Sequence, residues 1–300
     1  MKTLQYNDFG GLEVLNLIEL AEPTVTAETI KVNVTTIGLN PMDWLIMSNK
    51  ELATNFGVQL PQIFGYDFSG IVTAVGPKDS MFKVGDRVFG STMTGSAAEY
   101  ILVQPNQLYL TPDAVSDEVA ATIAIAGGTA IDAVNKAAIT KDDTVLIGGA
   151  AGGVGIFAIQ LAKIKGAKVI GTASNATSNF LSSLGAEQVT YGPGLAKRLA
   201  DKNITATIDL YSHEALDAAI ELGVSPHKLS TIIGFPEPPK GVSYATGSNA
   251  TPIDMELVIH AVASGKIQVP IENNFPIENF KEAIAASMAR HTHGKLVLSF

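Results

Sequence analysis

The chain has 300 residues, 46% of them hydrophobic and 16% charged, with a net charge of −9 and no cysteine. A chain of this size buries a large core and is long enough for two domains. Its acidity argues against nonspecific attraction to nucleic acid or to an anionic membrane, and the lack of cysteine excludes disulfides, thiolate metal sites and a cysteine nucleophile. The opening MKTLQYNDFGG has no cationic stretch followed by an apolar core, and no apolar run is long enough to span a bilayer. The expected location is therefore the cytoplasm, with neither nucleic acid nor membrane as partner.

The first hundred residues read as short strands. ETIKVNVTTIGL, FSGIVTAVG, DRVFG and AEYILV are rich in β-branched residues and bounded by Gly, Pro, Asn or Asp, which predicts a mostly antiparallel β domain. From Ser116 the texture becomes helical, with Ser116 as N-cap and acids in the first turn. Strand-like TVLIG, KVIGTA, QVTY, ATIDLYS and KLSTIIGF then alternate with helix-like GVGIFAIQLAKIKG, NFLSSLG and EALDAAIELG. This alternation predicts α/β architecture, a doubly wound parallel sheet with helices on both faces. PEPPKG marks a loop, and the chain closes with DMELVIHAVASGKI, a helix over FKEAIAASMARH and a strand over KLVLSF.

The segment VLIGGAAGGVG, residues 145–155, sits between a strand and a helix. There a glycine-rich turn lets the backbone approach a pyrophosphate and aims free N–H groups at it. Ala150, Gly152 and Gly155 fill the three slots of the G-x-G-x-x-G string once alanine is allowed first, and the whole run Ala150, Ala151, Gly152, Gly153, Val154 and Gly155 is the expected cradle. A packing role for the glycines is the competing reading. The next strand ends in Thr172-Ala173-Ser174-Asn175, without the acid that holds an NAD ribose and would repel a 2′-phosphate. Ser174, Asn175 and Thr177 are short donors suited to phosphate oxygens, so NADPH is the expected cofactor. For Asn175 and Thr177, N-capping of the following helix is an equal reading.

Taken together, GLNPMDW (38–44), GYDFSGIVTAVG (65–76), VGDRVFG (84–90), AAEYILV (97–103), AGGTAIDAV (126–134), GGAAGGVG (148–155) and GKLVLSF (294–300) resemble the medium-chain dehydrogenase/reductase superfamily. Within it, the chain resembles the zinc-independent NADPH:quinone oxidoreductase group related to zeta-crystallin. The resemblance implies a GroES-like catalytic domain over 1–115 and 251–300, with a Rossmann NADPH-binding domain over 116–250 inserted between them. It also implies a homodimer formed through a Rossmann sheet edge near KLSTIIGF and VSYAT.

Zinc alcohol dehydrogenases of the superfamily carry Cys, His and Cys where this chain has Asn40, Tyr66 and Ile125, and such a set cannot reproduce a catalytic zinc site. The cysteine-rich lobe that would hold a structural zinc is replaced by a short STMTGS segment. His213, His227, His260, His291 and His293 form no evident ligand pattern, so no metal is expected. Without a Lewis acid, the fitting chemistry is hydride transfer from NADPH to an acceptor that is already electrophilic, a quinone or an enone or enal double bond. A non-catalytic NADPH-binding module is the alternative from another class.

The resemblance places Asn40 and Asp43 near the nicotinamide and substrate, Thr129 at the nicotinamide end and Tyr191 near the adenosine phosphate. The Asn40 amide and Tyr66 hydroxyl are candidate oxyanion donors. Phe235 is a candidate contact on the nicotinamide side of the cleft, with an ordinary wall residue as the plainer reading. Trp44 is a candidate lining of a flat quinone pocket. Plainer readings stand beside these: Asn40-Pro41 as a turn, Asp43 as a helix cap, Tyr66 as packing and Trp44 in the core or an interface; Asp67 reads as a structural bridge, and Lys197 with Arg198 as a solvated face.

Overall fold

A computed structural model describes residues 1–300 apart from Asp79, Phe235 and His291. In chain order the elements are β1 (Lys2–Tyr6), β2 (Leu15–Glu19), β3 (Ile30–Gly38), α1 (Pro41–Ser48), α2 (Lys50–Asn55), β4 (Gln62–Ile63), β5 (Asp67–Val75), β6 (Arg87–Ser91), β7 (Tyr100–Val103), β8 (Leu108–Leu110), α3 (Asp117–Ala120) and α4 (Ile123–Lys136). They continue as β9 (Thr144–Gly148), α5 (Gly153–Ile164), β10 (Lys168–Thr172), α6 (Ser178–Ser183), β11 (Glu187–Val189), α7 (Leu195–Leu199), β12 (Ala206–Asp209), α8 (Glu214–Glu221), β13 (Leu229–Thr231), β14 (Ser243–Tyr244), α9 (Pro252–Ala263), β15 (Ile271–Pro276), α10 (Phe280–Ala289) and β16 (Lys295–Ser299).

Two compact units emerge, Met1–Ala124 with Ile271–Phe300, and Ile125–Pro270. The expected boundaries at 115/116 and 250/251 move because flanking segments bond to the other side of each cut. Helix α3 packs on β3, β5 and β6, with Ser69 Oγ donating to Asp117 O at 2.8 Å and Arg87 Nη2 to Asp117 Oδ1 at 2.6 Å. Helix α9 stays in the second unit, where Asn135 Nδ2 donates to Asp254 Oδ1 at 2.9 Å and Gln160 exchanges two hydrogen bonds with the Gln268 backbone.

In the first unit, Ile30, Val32 and Val34 alternate inward along β3, as period-two patterning requires. Their sheet runs β15-β16-β3-β5-β6-β8, with β7 also on β3, and every pair but β15–β16 is antiparallel. A second sheet, β2-β1-β4, comes from an opening hairpin that the sequence reading did not contain. Phe64, Phe68, Val88 and Leu298 join the β3 residues in one core.

The second unit is a six-stranded sheet in the order β11-β10-β9-β12-β13-β14, parallel throughout. Val145, Leu146 and Ile147 are fully buried, as expected of a central strand covered on both faces. Helix α5 packs on β9 and β10, and α8 on β9, β12 and β13. Because strand order reverses at β9, right-handed crossovers put these helices on opposite faces. That reversal opens a crevice at the carboxyl ends of β9 and β12, where a doubly wound sheet binds its ligand.

Candidate functional site

In the second unit, the loop after β9 is tied to β10 by Thr172, which accepts from Gly149 N through Oγ1 (3.2 Å) and from Ala150 N through its carbonyl (3.3 Å). Gly149 takes φ +69° and Gly152 caps α5. The first intrahelical donor is Ile156 N, bonded to Gly152 O at 3.0 Å. The N–H groups of Gly153, Val154 and Gly155 thus have no partner within the helix.

The glycines divide by role. A Cβ on Gly155 would lie 2.4 Å from Ala150 O, so this glycine serves backbone packing; one on Gly152 would meet only Gly149 O, at 3.3 Å. Ala151 to Val154 remain partly exposed beside this open ground. Such a cradle fits a pyrophosphate. Its far wall holds a residue that sequence reasoning missed. Asp209, paired with Gly148 across the switch point, accepts from Tyr211 N and Ser212 N through Oδ1 (3.0 and 3.2 Å) and from Leu216 N through Oδ2 (3.0 Å).

At the end of β10, Ala173 is buried, Ser174 half-buried and Asn175 exposed. Asn175 Oδ1 accepts from Thr190 Oγ1 at 2.8 Å, which leaves its Nδ2 to donate. Thr177 is different from its expected phosphate role: it is buried, and its hydroxyl donates to Ser174 O at 2.7 Å. It therefore closes a local turn. Tyr191 is 53% exposed at the end of the β11 turn. Arg198 corrects the solvated-face reading, because its guanidinium donates four hydrogen bonds to the carbonyls of Thr190, Gly192 and Pro193. Lys197 beside it is exposed. Thr129 on α4 is buried where Gly247 packs on it, and Asp132 Oδ2 holds that loop by accepting from Thr246 N (3.1 Å) and Gly247 N (3.0 Å). Phe235 lies outside the described residues.

In the first unit, Asn40, Asp43 and Tyr66 are all buried. Asn40 caps α1, and its backbone N–H donates to Asp43 Oδ2 at 2.7 Å, half of a capping box. Its side chain is not the free oxyanion donor expected. Nδ2 donates to Asp67 Oδ2 at 2.9 Å, while Oδ1 accepts from Lys295 Nζ at 2.6 Å. Lys295, 3% exposed and absent from the sequence-derived site, also donates to Leu39 O at 2.9 Å. Asn40 thus joins Asp67 to Lys295.

Burial pushes the Asp43 carboxyl well above its usual range, an effect that the Asp67 charge reinforces and that the Asn40 N–H and Lys295 oppose. Burial lowers Lys295, with Asp67 and Asp43 pulling it back. Asp43 Oδ1 is buried with no hydrogen-bond partner, and the buried Tyr6 hydroxyl interacts with that of Tyr66. Burial raises the Tyr66 phenol well above its ordinary value and Tyr6 to about 12, so both hydroxyls keep their protons near neutrality. Trp44 takes the plainer role, buried with Nε1 donating to Ser287 Oγ at 3.2 Å.

The positions that hold zinc ligands in zinc relatives supply an amide, a phenol and an alkyl group, none of which fits a catalytic zinc. Among the described residues no group of three or more His, Asp or Glu side chains is placed to hold a metal ion. His291 lies outside those residues.

Residues 26–113 match the alcohol dehydrogenase GroES-like domain, and residues 236–298 match the zinc-binding dehydrogenase domain. A quinone oxidoreductase of Sus scrofa is 35% identical over 232 residues, 74% of this chain and 70% of the relative. A chloroplastic NADPH-dependent alkenal/one oxidoreductase of Arabidopsis thaliana is 30% identical over 317 residues, covering 99% of this chain and 79% of the relative. The solved quinone oxidoreductase of Coxiella burnetii matches with a TM-score of 0.80 at 27% identity, over 100% of this chain and 99% of that one. A GroES-like domain accompanied by a doubly wound Rossmann sheet defines the medium-chain dehydrogenases/reductases. The chain belongs to the quinone oxidoreductase family of that superfamily, and is an oxidoreductase by descent.

Proposed function

We propose that the protein is a zinc-independent, NADPH-dependent reductase that delivers hydride to a quinone or an enone. The observation that carries this reading is the open cradle at Gly149–Gly155 beside a second strand that ends in Ala173 and Ser174 without a carboxylate. The named substrates of the pig and Arabidopsis relatives support both acceptor classes.

Bound NADPH supplies the hydride donor at the nicotinamide ring. The loop N–H groups would hold the pyrophosphate, Ser174, Asn175 and Tyr191 the 2′-phosphate, and Thr129 the nicotinamide end. On the acceptor side, the Tyr66 phenol, kept protonated by burial, is the candidate donor to a developing oxyanion. Asn40 acts as a positioning residue through Asp67 and Lys295, and solvent protonates the product.

The same reading includes a homodimer through the β14 edge, where exposed Tyr244 lies, and a cytoplasmic site of action. Among the described residues no helix is long and apolar enough to cross a membrane. The direct test is oxidation of NADPH and of NADH by purified, chelator-treated protein, with an ortho-quinone and an enone as acceptors. Turnover with NADPH and either acceptor is expected. Saturable NADPH binding without oxidation by any acceptor would instead favour a non-catalytic binding module.

A further inference from the structure

The acid-free end of β10 leaves an electrostatic question. A phosphate monoester carries about −1.5 to −2 charges near neutrality, yet Ser174, Asn175 and Thr190 are neutral. The cation bonded into this corner is Arg198. Its Nε and Nη2 donate to Thr190 O (3.0 and 2.8 Å), Nη2 also donates to Gly192 O (2.8 Å), and Nη1 donates to Pro193 O (2.9 Å). These bonds grip the backbone on both sides of Tyr191.

They use four of the five guanidinium N–H groups, so one N–H of Nη1 is left over. All four of these hydrogen bonds go to backbone carbonyls rather than to a carboxylate. Thr190 carries the connection onward, its carbonyl held by Arg198 and its hydroxyl donating to Asn175 Oδ1. One carboxylate is close by: Glu214 Oε1 accepts from Gly192 N at 2.6 Å.

We infer that Arg198 is the residue that sets NADPH over NADH, supplying the positive charge for the 2′-phosphate while fixing Tyr191 and Asn175 around it. The inference rests on the NADPH reading above. Glu214, by its charge on the same turn, moderates that preference.

The test is calorimetric or fluorescence titration of the full chain and its variants with NADPH and NADH, with 2′,5′-ADP and 5′-ADP as smaller probes. Arg198→Ala should weaken NADPH and 2′,5′-ADP by about 10- to 100-fold, the range of one charge-assisted hydrogen bond. NADH and 5′-ADP should change by less than about threefold on the same reasoning. Arg198→Lys, which keeps the charge but loses the fork, should fall between. Glu214→Gln should tighten NADPH and leave NADH unaltered. Equal weakening of both dinucleotides in a variant with wild-type circular dichroism would overturn the inference and leave Arg198 a turn clamp. An unchanged NADPH affinity in Arg198→Ala would overturn it too. Should Arg198→Ala fail to fold, Arg198→Lys and Glu214→Gln decide, and unaltered NADPH-to-NADH ratios in both reject it. Wild-type protein that binds the two dinucleotides equally refutes this inference alone, whereas protein that binds neither refutes the function proposed above.

Discussion

The loop at the start of α5 and the corner at the start of α1 are both helix N-termini, and they treat polar groups in opposite ways. The α5 loop keeps Ala151 to Val154 partly exposed and presents backbone donors that the helix cannot satisfy. The α1 corner buries Asn40, Asp43, Asp67 and Lys295, and it engages nearly every polar atom internally. An anion site must leave donors available, whereas buried charge is tolerated only when it is neutralised. The difference therefore separates a loop that leaves its donors available from a corner that holds its own geometry.

The largest effect is expected where that internal neutralisation is broken. Lys295→Met removes the ammonium from Asn40 Oδ1 and Leu39 O and takes a positive charge out of the buried network that Asn40 links to Asp67. Removing one charged member of a buried network in this way costs about 3–5 kcal/mol, to be read from urea unfolding followed by circular dichroism. A cost below about 1 kcal/mol, the scale of a surface pair, would mean that the corner is not held by charge.

Next in size is a pair of substitutions in the other region. Gly155→Ala drives a Cβ into Ala150 O and the adjacent backbone. Overpacking of this kind costs about 1–3 kcal/mol, and the distorted cradle should lose dinucleotide affinity with it. Gly152→Ala meets only Gly149 O at 3.3 Å, at φ −77°, a backbone angle alanine adopts freely. It should melt within a few degrees of wild type yet bind NADPH poorly, since its methyl group occupies the ground a phosphate needs. If both variants lose stability equally and keep affinity, the loop is a packing turn.

How much of this was legible in the sequence follows the range of the interactions involved. Strand, loop and helix of the glycine-loop unit all lie between Thr144 and Ile164, so TVLIG and the glycine run mark them. The missing acid at Ala173 was equally local. Asp209 is also in a plain strand pattern, but its partners are three backbone N–H groups, which no residue type marks. Lys295 was visible only as one polar residue in GKLVLSF; nothing in a single chain couples it to Asn40, 255 positions away. Arg198 reads as a solvated helix residue because its acceptors are carbonyls of a turn, and helix patterning describes only side-chain neighbours.

A smaller effect tests the charge that caps the second unit from below. Burial acts to raise Asp143, but bonds from Lys228 Nζ (2.9 Å), Thr140 N (2.7 Å), Thr205 Oγ1 (2.8 Å) and Thr140 Oγ1 (2.8 Å) hold it at about 2. With the folded value below 3.8, its contribution is complete above that pH and is lost as pH falls toward 2. Asp143→Asn should therefore destabilise by about 1–3 kcal/mol near neutrality and flatten the acid limb of a melting-temperature profile. An unchanged limb would assign acid sensitivity to other carboxylates.

The smallest effect, and the sharpest for the α1 corner, is expected from Asp43→Asn. Two aspartates and one lysine cannot all be ionised there without leaving a net buried charge, and burial, which raises the Asp43 carboxyl well above its usual range, favours its neutral form. The amide is nearly isosteric with the carboxyl it replaces: its oxygen can accept the Asn40 N–H, and its NH2 takes the place of Oδ1, which has no hydrogen-bond partner. The sign of the pH dependence follows. The folded chain holds the Asp43 proton to higher pH than the unfolded chain, so the wild type loses stability relative to Asp43→Asn as pH rises above 3.8. The variant should match wild type at low pH and equal or exceed it near neutrality, while Asp67→Asn, which removes the carboxylate that accepts from Asn40 Nδ2 and offsets the buried Lys295 charge, loses about 3–5 kcal/mol. If Asp43→Asn is as damaging as Asp67→Asn across that range, Asp43 is ionised in the folded protein and Lys295 serves both carboxylates.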